Sequence, residues 1–224
     1  NSSFEMFKNL KEVVIPSSVT SIGPNSFSNC WSLMNVSFLD PPSLRIIGIL
    51  AFSNCVSLTE IQLPSSLESI EDGAFKDCSS LKQISIPSSV KSIKEKCFFN
   101  CLSLCKIVFS DSSSLESIES CAFGKCKSLK EITLPQTLTK IEQFTFNNCL
   151  SLVHVAIASS ITSIDNFAFS DCLSLTQITI PSSVTSIGKG DFQNCSSLVE
   201  IKILSSIQSI EDYSFECCSS LARF

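Results

Sequence analysis

Apolar residues in this chain return on a ruler of 23 residues. Phe4, Phe27, Phe52, Phe75, Phe98, Phe123, Phe146, Phe169, Phe192 and Phe215 are evenly spaced except for two steps of 25, from Phe27 to Phe52 and from Phe98 to Phe123. Three places after each of these stands a Cys, from Cys30 to Cys218, with Phe7 in the first slot. Six places after each stands a Leu, from Leu10 to Leu221. Aliphatic residues or Phe then fill the ninth and eleventh places (Val13 and Ile15, Ile61 and Leu63, Ile132 and Leu134). Two more aliphatics follow at the fifteenth and eighteenth (Val19 and Ile22, Leu67 and Ile70). The phrase IPSSVTSIG at 15–23 returns unchanged at 180–188 because seven such steps separate the two copies.

The template assigns elements within each unit. L-x-x-I-x-I alternates at its end, as a strand with one inward face does. Pro16, Pro64, Pro87, Pro135 and Pro181 stop that strand by removing an amide donor. V-x-S-I supplies a second short extended segment, and A-F-x-x-C is compact enough for a helical turn, so helix content is expected to be small. A fixed period of this size means stacked supersecondary units. One 23-residue coil cannot bury Phe, Leu and three aliphatics alone, but neighbours about 4.8 Å away cover its flanks and pair its strand. The predicted fold is a mainly β repeat solenoid of about nine coils of 23–25 residues, with short second strands and helical turns elsewhere, forming one domain over 1–224.

The two longer steps place their extra residues alike. In VSFLDPPSLRII (36–47) and IVFSDSSSLESI (107–118) they follow Phe38 and Phe109, and an Asp comes next at 40 and 111. Lengthening a loop by two residues costs little, so both are expected to bulge on one edge, three coils apart, either as neutral insertions or as a contact loop.

The coil LTEIQLPSSLESIEDGAFKDC (58–78) resembles the leucine-rich repeats of the BspA-like, or Treponema, type, and ten consecutive units from Phe4 to Phe224 carry the likeness. That resemblance implies a right-handed solenoid with its parallel sheet on the concave face. It also implies a source among host-associated bacteria or anaerobic parasitic protists, a cell-surface or extracellular location, and adhesion to host cells or extracellular matrix. A solenoid fixes a scaffold and not a ligand.

Charge and composition narrow the partners. The net charge of −5, with no run of Lys or Arg, provides no field to gather phosphates, so nucleic acid is not an expected partner. Apolar runs such as IGILAF (47–52) are far shorter than a bilayer span, and the opening NSSFEMFKNLK lacks the pattern of a signal peptide. Beginning at Asn1 and stopping soon after SSLAR, the sequence reads as a piece of a longer protein. No capping unit is recognisable, which points to possible end-to-end self-association.

Candidate chemistry is largely absorbed by the repeat. Nine of the 13 Cys hold the column place, where a small apolar thiol packs well and parallel neighbours bridge poorly, so they are expected reduced and buried. The others are Cys97, Cys105, Cys121 and Cys217, and the spacing Cys97-x3-Cys101-x3-Cys105 lacks the paired C-x2-C of structural zinc. The sole His, His154, occupies a place held elsewhere by Glu60, Gln83, Glu131 and Gln177, which favours a solvated side chain over a catalytic one. Ser residues form one column through Ser32, Ser57 and Ser80 and another through Ser21, Ser69 and Ser92. Both are expected to bond the backbone of adjoining coils. No calcium loop or glycine-rich phosphate loop is present. Asn35-Val-Ser37 and Asn194-Cys-Ser196 spell the glycosylation acceptor. No catalytic residue, metal or cofactor is expected.

What remains is the outward face of the strands. One column runs through Val14, Ser37, Gln62, Ser85, Val108, Thr133, Ala156, Thr179 and Lys202. The other, two residues earlier, runs through Glu12, Asn35, Glu60, Gln83, Lys106, Glu131, His154, Gln177 and Glu200. Of these, Ser37, Gln62, Ser85, Val108, Thr133, Ala156, Thr179, Glu60, Gln83, Lys106, Glu131, His154 and Gln177 are the candidate contact residues of a long, fairly flat binding face. Small and β-branched residues also suit any exposed strand. The expected function is a non-enzymatic protein-binding module; the resemblance makes it an adhesin-like segment contacting a host or matrix protein, and the alternative is an intracellular scaffold.

Overall fold

The computed structural model describes residues 3–204 and 207–224. Each coil contributes a two-residue strand, and all but the coil holding residues 60–63 precede it with a strand of three or four residues. The longer set is β1 (Glu12–Ile15), β3 (Asn35–Phe38), β6 (Gln83–Ile86), β8 (Lys106–Phe109), β10 (Glu131–Thr133), β12 (His154–Ala156), β14 (Gln177–Ile180) and β16 (Glu200–Ile203). The shorter set is β2 (Ser21–Ile22), β4 (Ile46–Ile47), β5 (Ser69–Ile70), β7 (Ser92–Ile93), β9 (Ser117–Ile118), β11 (Lys140–Ile141), β13 (Ser163–Ile164), β15 (Ser186–Ile187) and β17 (Ser209–Ile210). All pairings are parallel, and like meets like: Val13 lies beside Val36, Ile84 beside Ile107, and Ile70 beside Ile93. This is the solenoid predicted above.

The Phe column forms its spine. Neighbouring rings from Phe4 to Phe215 stack with centroids 5.1–5.8 Å apart and planes within 10° of parallel. The seven rings from Phe52 to Phe192 are completely buried. These centroid distances exceed the roughly 4.8 Å between hydrogen-bonded strands, as offset stacking of parallel rings requires.

Around each Phe the structure differs from expectation. A-F-x-x-C is no helical turn; no helix forms among the described residues. It is a ribbon of turns whose amides alternate in direction. Ala51, Ser53 and Cys55 donate to the residue three places back in their own coil, whereas Leu50, Phe52 and Asn54 donate to Asp72, Ala74 and Lys76 of the next coil. A helix would spend every N–H within its own coil and leave this side of the stack unbonded. The alternation requires left-handed backbone two residues before and two after each Phe. Residues 25, 50, 73, 96, 121, 144, 167, 190 and 213 take φ of 53–62°, and residues 29, 54, 77, 100, 125, 148, 171, 194 and 217 take 59–61°. Asn or Asp fills seven of the second group, the residues that tolerate this region best after Gly.

Cysteine has a specific duty here. Every column thiol donates to the carbonyl of the preceding coil's Phe, from Cys30 Sγ to Phe4 O at 3.0 Å to Cys218 Sγ to Phe192 O at 3.0 Å. The same carbonyl also accepts the N–H of its own coil's Cys, as Phe52 O does from Cys55 at 3.2 Å and from Cys78 Sγ at 3.1 Å. Both oxygen lone pairs are thereby used. Burial pushes these thiols up, Cys149 to about 12, so they stay protonated as donors and are poor nucleophiles.

The predicted Ser columns do not act as expected. Ser69 Oγ donates to Glu71 and lies 3.5 Å from Ser92 Oγ, rather than bonding backbone. The hydroxyls that recurrently tie coils together belong to the Ser just before the fifteenth-place aliphatic. Ser66 and Ser89 donate to Leu44 O and Leu67 O at 2.7 and 2.6 Å, and Ser160 and Ser183 to Leu138 O and Ile161 O. Ser66, Ser89 and Ser183 stand two places after the strand-ending Pro, and Ser160 two places after the Ala158 that replaces it, where a hydroxyl can reach back across one coil spacing.

One buried charge breaks the pattern. Asp191 occupies the place held by Ala51, Ala74, Ala122 and Ala168, and it has no exposure. Its carboxyl accepts from Gly188 N at 2.7 Å and Ala168 N at 3.3 Å. Burial pushes its pKa up to about 8, against the downward pull of these two N–H groups and with a further upward push from Asp165.

Two outcomes follow from this packing. Phe98→Ala removes a ring held between Phe75 at 5.3 Å and Phe123 at 5.5 Å, and it is expected to cost about 3–5 kcal/mol in denaturant unfolding, well above Phe4→Ala at the exposed first coil. Asp191 binds its proton more tightly folded than unfolded, so native stability falls as pH rises from about 4 toward 8. Tm should therefore drop between pH 5 and pH 9, and Asp191→Asn should flatten that slope and raise Tm by several degrees at pH 9 only.

Candidate protein-binding face

The alternation that sends Val36, Ile84 and Ile178 into the core turns their neighbours outward. Ser37, Gln62, Ser85, Val108, Thr133 and Thr179 are exposed, as are Glu60, Gln83, Lys106, Glu131, His154 and Gln177; Ala156 is half-buried. The ladder brings many into register: Gln83 beside Lys106, Ser85 beside Val108, Glu131 beside His154, Thr133 beside Ala156, and Gln177 beside Glu200. His154 carries no side-chain bond that would orient it for proton transfer; it is one exposed residue in a column.

The face is less flat than predicted. Among the described residues, ladders between the longer strands join only β1 with β3, β6 with β8, β10 with β12, and β14 with β16, and residues 60–63 form no strand. Between these pairs the surface opens into clefts. One of about 430 Å³ is lined by Asn35, Ser37, Phe38, Asp40, Glu60 and Leu63 among others. Another, of about 520 Å³, is lined by Lys106, Val108, Phe109, Asp111, Glu131 and Leu134. A third lies between β12 and β14, against His154, Ala156, Gln177 and Thr179. The first two adjoin the coils with two extra residues, whose loops carry the chain away from the ladder after Phe38 and Phe109. From sequence these loops are either neutral insertions or contact loops. The structure sets Asp40 and Asp111 on cleft walls, and the signal was available in the Phe that replaces an aliphatic in these two coils.

Charge is distributed unevenly over the face. The ion pairs among the described residues lie off these strands: Lys94 with Glu119 at 2.7 Å, Lys140 with Asp165 at 2.8 Å, Lys140 with Glu142, Lys76 with Asp77, Arg45 with Glu68, and Lys96 with Glu95. Among the described residues no ion pair or side-chain hydrogen bond engages Glu60, Glu131, Asp40 or Asp111. The remaining thiols show no convergent arrangement: Cys97 is buried, Cys121 half-buried, and Cys105 and Cys217 exposed. Among the described residues no three His, Cys, Asp or Glu side chains come together as a metal site, and no helix is long and apolar enough to cross a membrane. Of the two glycosylation spellings, Asn194 donates its amide to Asp171 at 2.8 Å, while Asn35 stands exposed on β3.

The comparisons with known proteins agree with this architecture. A family model described as a BspA type leucine rich repeat region, with six copies, matches residues 1–115 and 109–222. A solved leucine-rich repeat protein from Bacteroides ovatus is similar at 30% identity over 98% of this chain and 67% of that one, with a TM-score of 0.78. The leucine-rich repeat protein of Treponema pallidum is similar at 28% identity over 94% of this chain and 83% of its own, with a TM-score of 0.63. No curated protein is similar enough to count as a relative. With the repeat matched from end to end, the chain belongs to the BspA-type leucine-rich repeat family.

Proposed function

We propose that the chain is a non-enzymatic protein-binding module, an adhesin-like segment of a cell-surface protein whose inner strand face contacts a host or extracellular-matrix protein. One observation carries the reading. The interior polar groups that recur from coil to coil, the column thiols and turn amides, are spent on coil-to-coil bonds, while the strand columns from Glu60 to Gln177 stand exposed. A face built over many coils suits a partner that touches several of them at once, as repeat scaffolds do. Membership of the BspA-type family supports the interaction role, and the surface location rests on the resemblance noted above.

The face is tested by Ser85→Tyr with Thr133→Tyr, which adds bulk without charge at two exposed positions and keeps residues that favour strands. Binding to an immobilised extracellular-matrix protein should weaken at least about tenfold with Tm unchanged, as expected when a contact centre is blocked; undiminished binding would place the contact elsewhere. Protease applied to intact cells should remove the protein, and its survival until lysis would overturn the surface role.

A further inference from the structure

Two of the clefts are copies of one another. Phe38, Asp40, Glu60 and Leu63 of the first correspond to Phe109, Asp111, Glu131 and Leu134 of the second, each pair 71 residues apart. The coincidence is not forced by the repeat. In the seven other coils the eleventh place after the first Phe is Ile or Leu; it is Phe only in the two coils with extra residues, and only those coils carry the following Asp. Both Phe rings are half-buried, with one side toward the cleft. Each cleft therefore combines an aromatic wall, an aliphatic wall from Leu63 or Leu134, and two carboxylates that no ion pair among the described residues engages, with Lys106 also on the lining of the second. That combination suits a cationic side chain, whose apolar stem lies along the walls while its head meets the aromatic ring and the acids.

The spacing specifies the partner further. Three coils at about 4.8 Å put the clefts about 14 Å apart, and four residues of extended chain cover about 13 Å. In an extended segment residues i and i+4 project to the same side, whereas i and i+3 project to opposite sides. We infer that the paired clefts take two cationic side chains, arginine or lysine, carried four residues apart on one extended segment of a partner protein lying along the strand face. The inference rests on the protein-binding reading above and names the chemistry of its partner. The clefts are not equal. Lys106 lines the second where Asn35 lines the first, so the first holds its cation more tightly.

The test is fluorescence anisotropy with a blocked, labelled Thr/Ser peptide bearing arginines at i and i+4, at low and physiological salt. Asp40→Asn is expected to weaken binding about threefold, Asp111→Asn less, and the double variant about tenfold, in the range of partly exposed charge pairs. Lys106→Gln should strengthen binding, and the peptide with arginines at i and i+3 should bind the wild type about tenfold more weakly, like a ligand using one cleft. All three substitutions lie on exposed positions, and unchanged Tm confirms folding. Absence of saturable binding, indifference to arginine spacing, or an unaffected double Asn variant would each overturn the paired-cleft inference. If Ser85→Tyr with Thr133→Tyr still abolishes matrix-protein binding in that case, the strand-face reading stands without it; if neither set of variants matters, both fall.

Discussion

A coil of this protein cannot satisfy its own backbone. On the Phe side every second amide points along the stack, as Leu50, Phe52 and Asn54 do toward the next coil, and on the strand side amides point the other way, as Met34 and Leu39 do toward Lys11 and Ile15. A single unit would leave these groups unpaired beside buried rings, at a cost of about 1–3 kcal/mol for each buried group. Only a second unit of the same shape at the same spacing supplies partners for all of them. That requirement enforces the repetition of Phe, Cys, Leu and Ile more strictly than hydrophobic burial alone, since burial accepts many shapes and a hydrogen-bond ladder accepts one spacing.

The column cysteine follows from the same constraint. Placing a Phe ring in the spine buries its carbonyl, and one turn amide satisfies only part of that oxygen. A thiol is small enough for the space between stacked coils, apolar enough to sit beside the rings, and still able to donate weakly to the second lone pair. Raising the thiol pKa by burial maintains the donor. What reads in composition as a disulfide or metal inventory is a row of hydrogen-bond donors.

Much of the fold was legible because the period-23 ladder writes itself directly into Phe, Cys and Leu. The turn ribbon was less so. Left-handed backbone leaves a trace in Asn29, Asn54, Asp77, Asn100, Asn148, Asp171 and Asn194, but its partner column contains Leu50, Phe144 and Phe167, residues that hide the conformation because neighbouring coils stabilise it. Phe144 and Phe167 stack at 5.1 Å, and the Phe167 ring lies where a Cβ on Gly190 would stand, 2.3 Å from its nearest atom. The serines misled for a related reason: hydroxyls at several places of the coil look alike in sequence, and the place that recurrently reaches a carbonyl one coil back is the one just before the fifteenth-place aliphatic. Asp191 was visible as an acid in an alanine column, yet its burial depends on the Gly188 amide turning to it, which no local pattern announces.

Function on such a scaffold is pushed outward by the saturation of its interior. A substitution in the spine or the turn ribbon disturbs two interfaces at once, so the positions free to vary are the outward strand columns and the loops that do not join the ladder. The two longer coils show how that freedom is used. Two extra residues lengthen the loop after the strand and place an Asp there, and a larger ring in place of an aliphatic stays in contact with the core while remaining half exposed. The clefts of these two coils thereby gain a ring and an extra carboxylate that the regular coils lack, and no ion pair among the described residues engages those acids. The departures from the repeat, rather than the repeat itself, therefore give this face its chemical character.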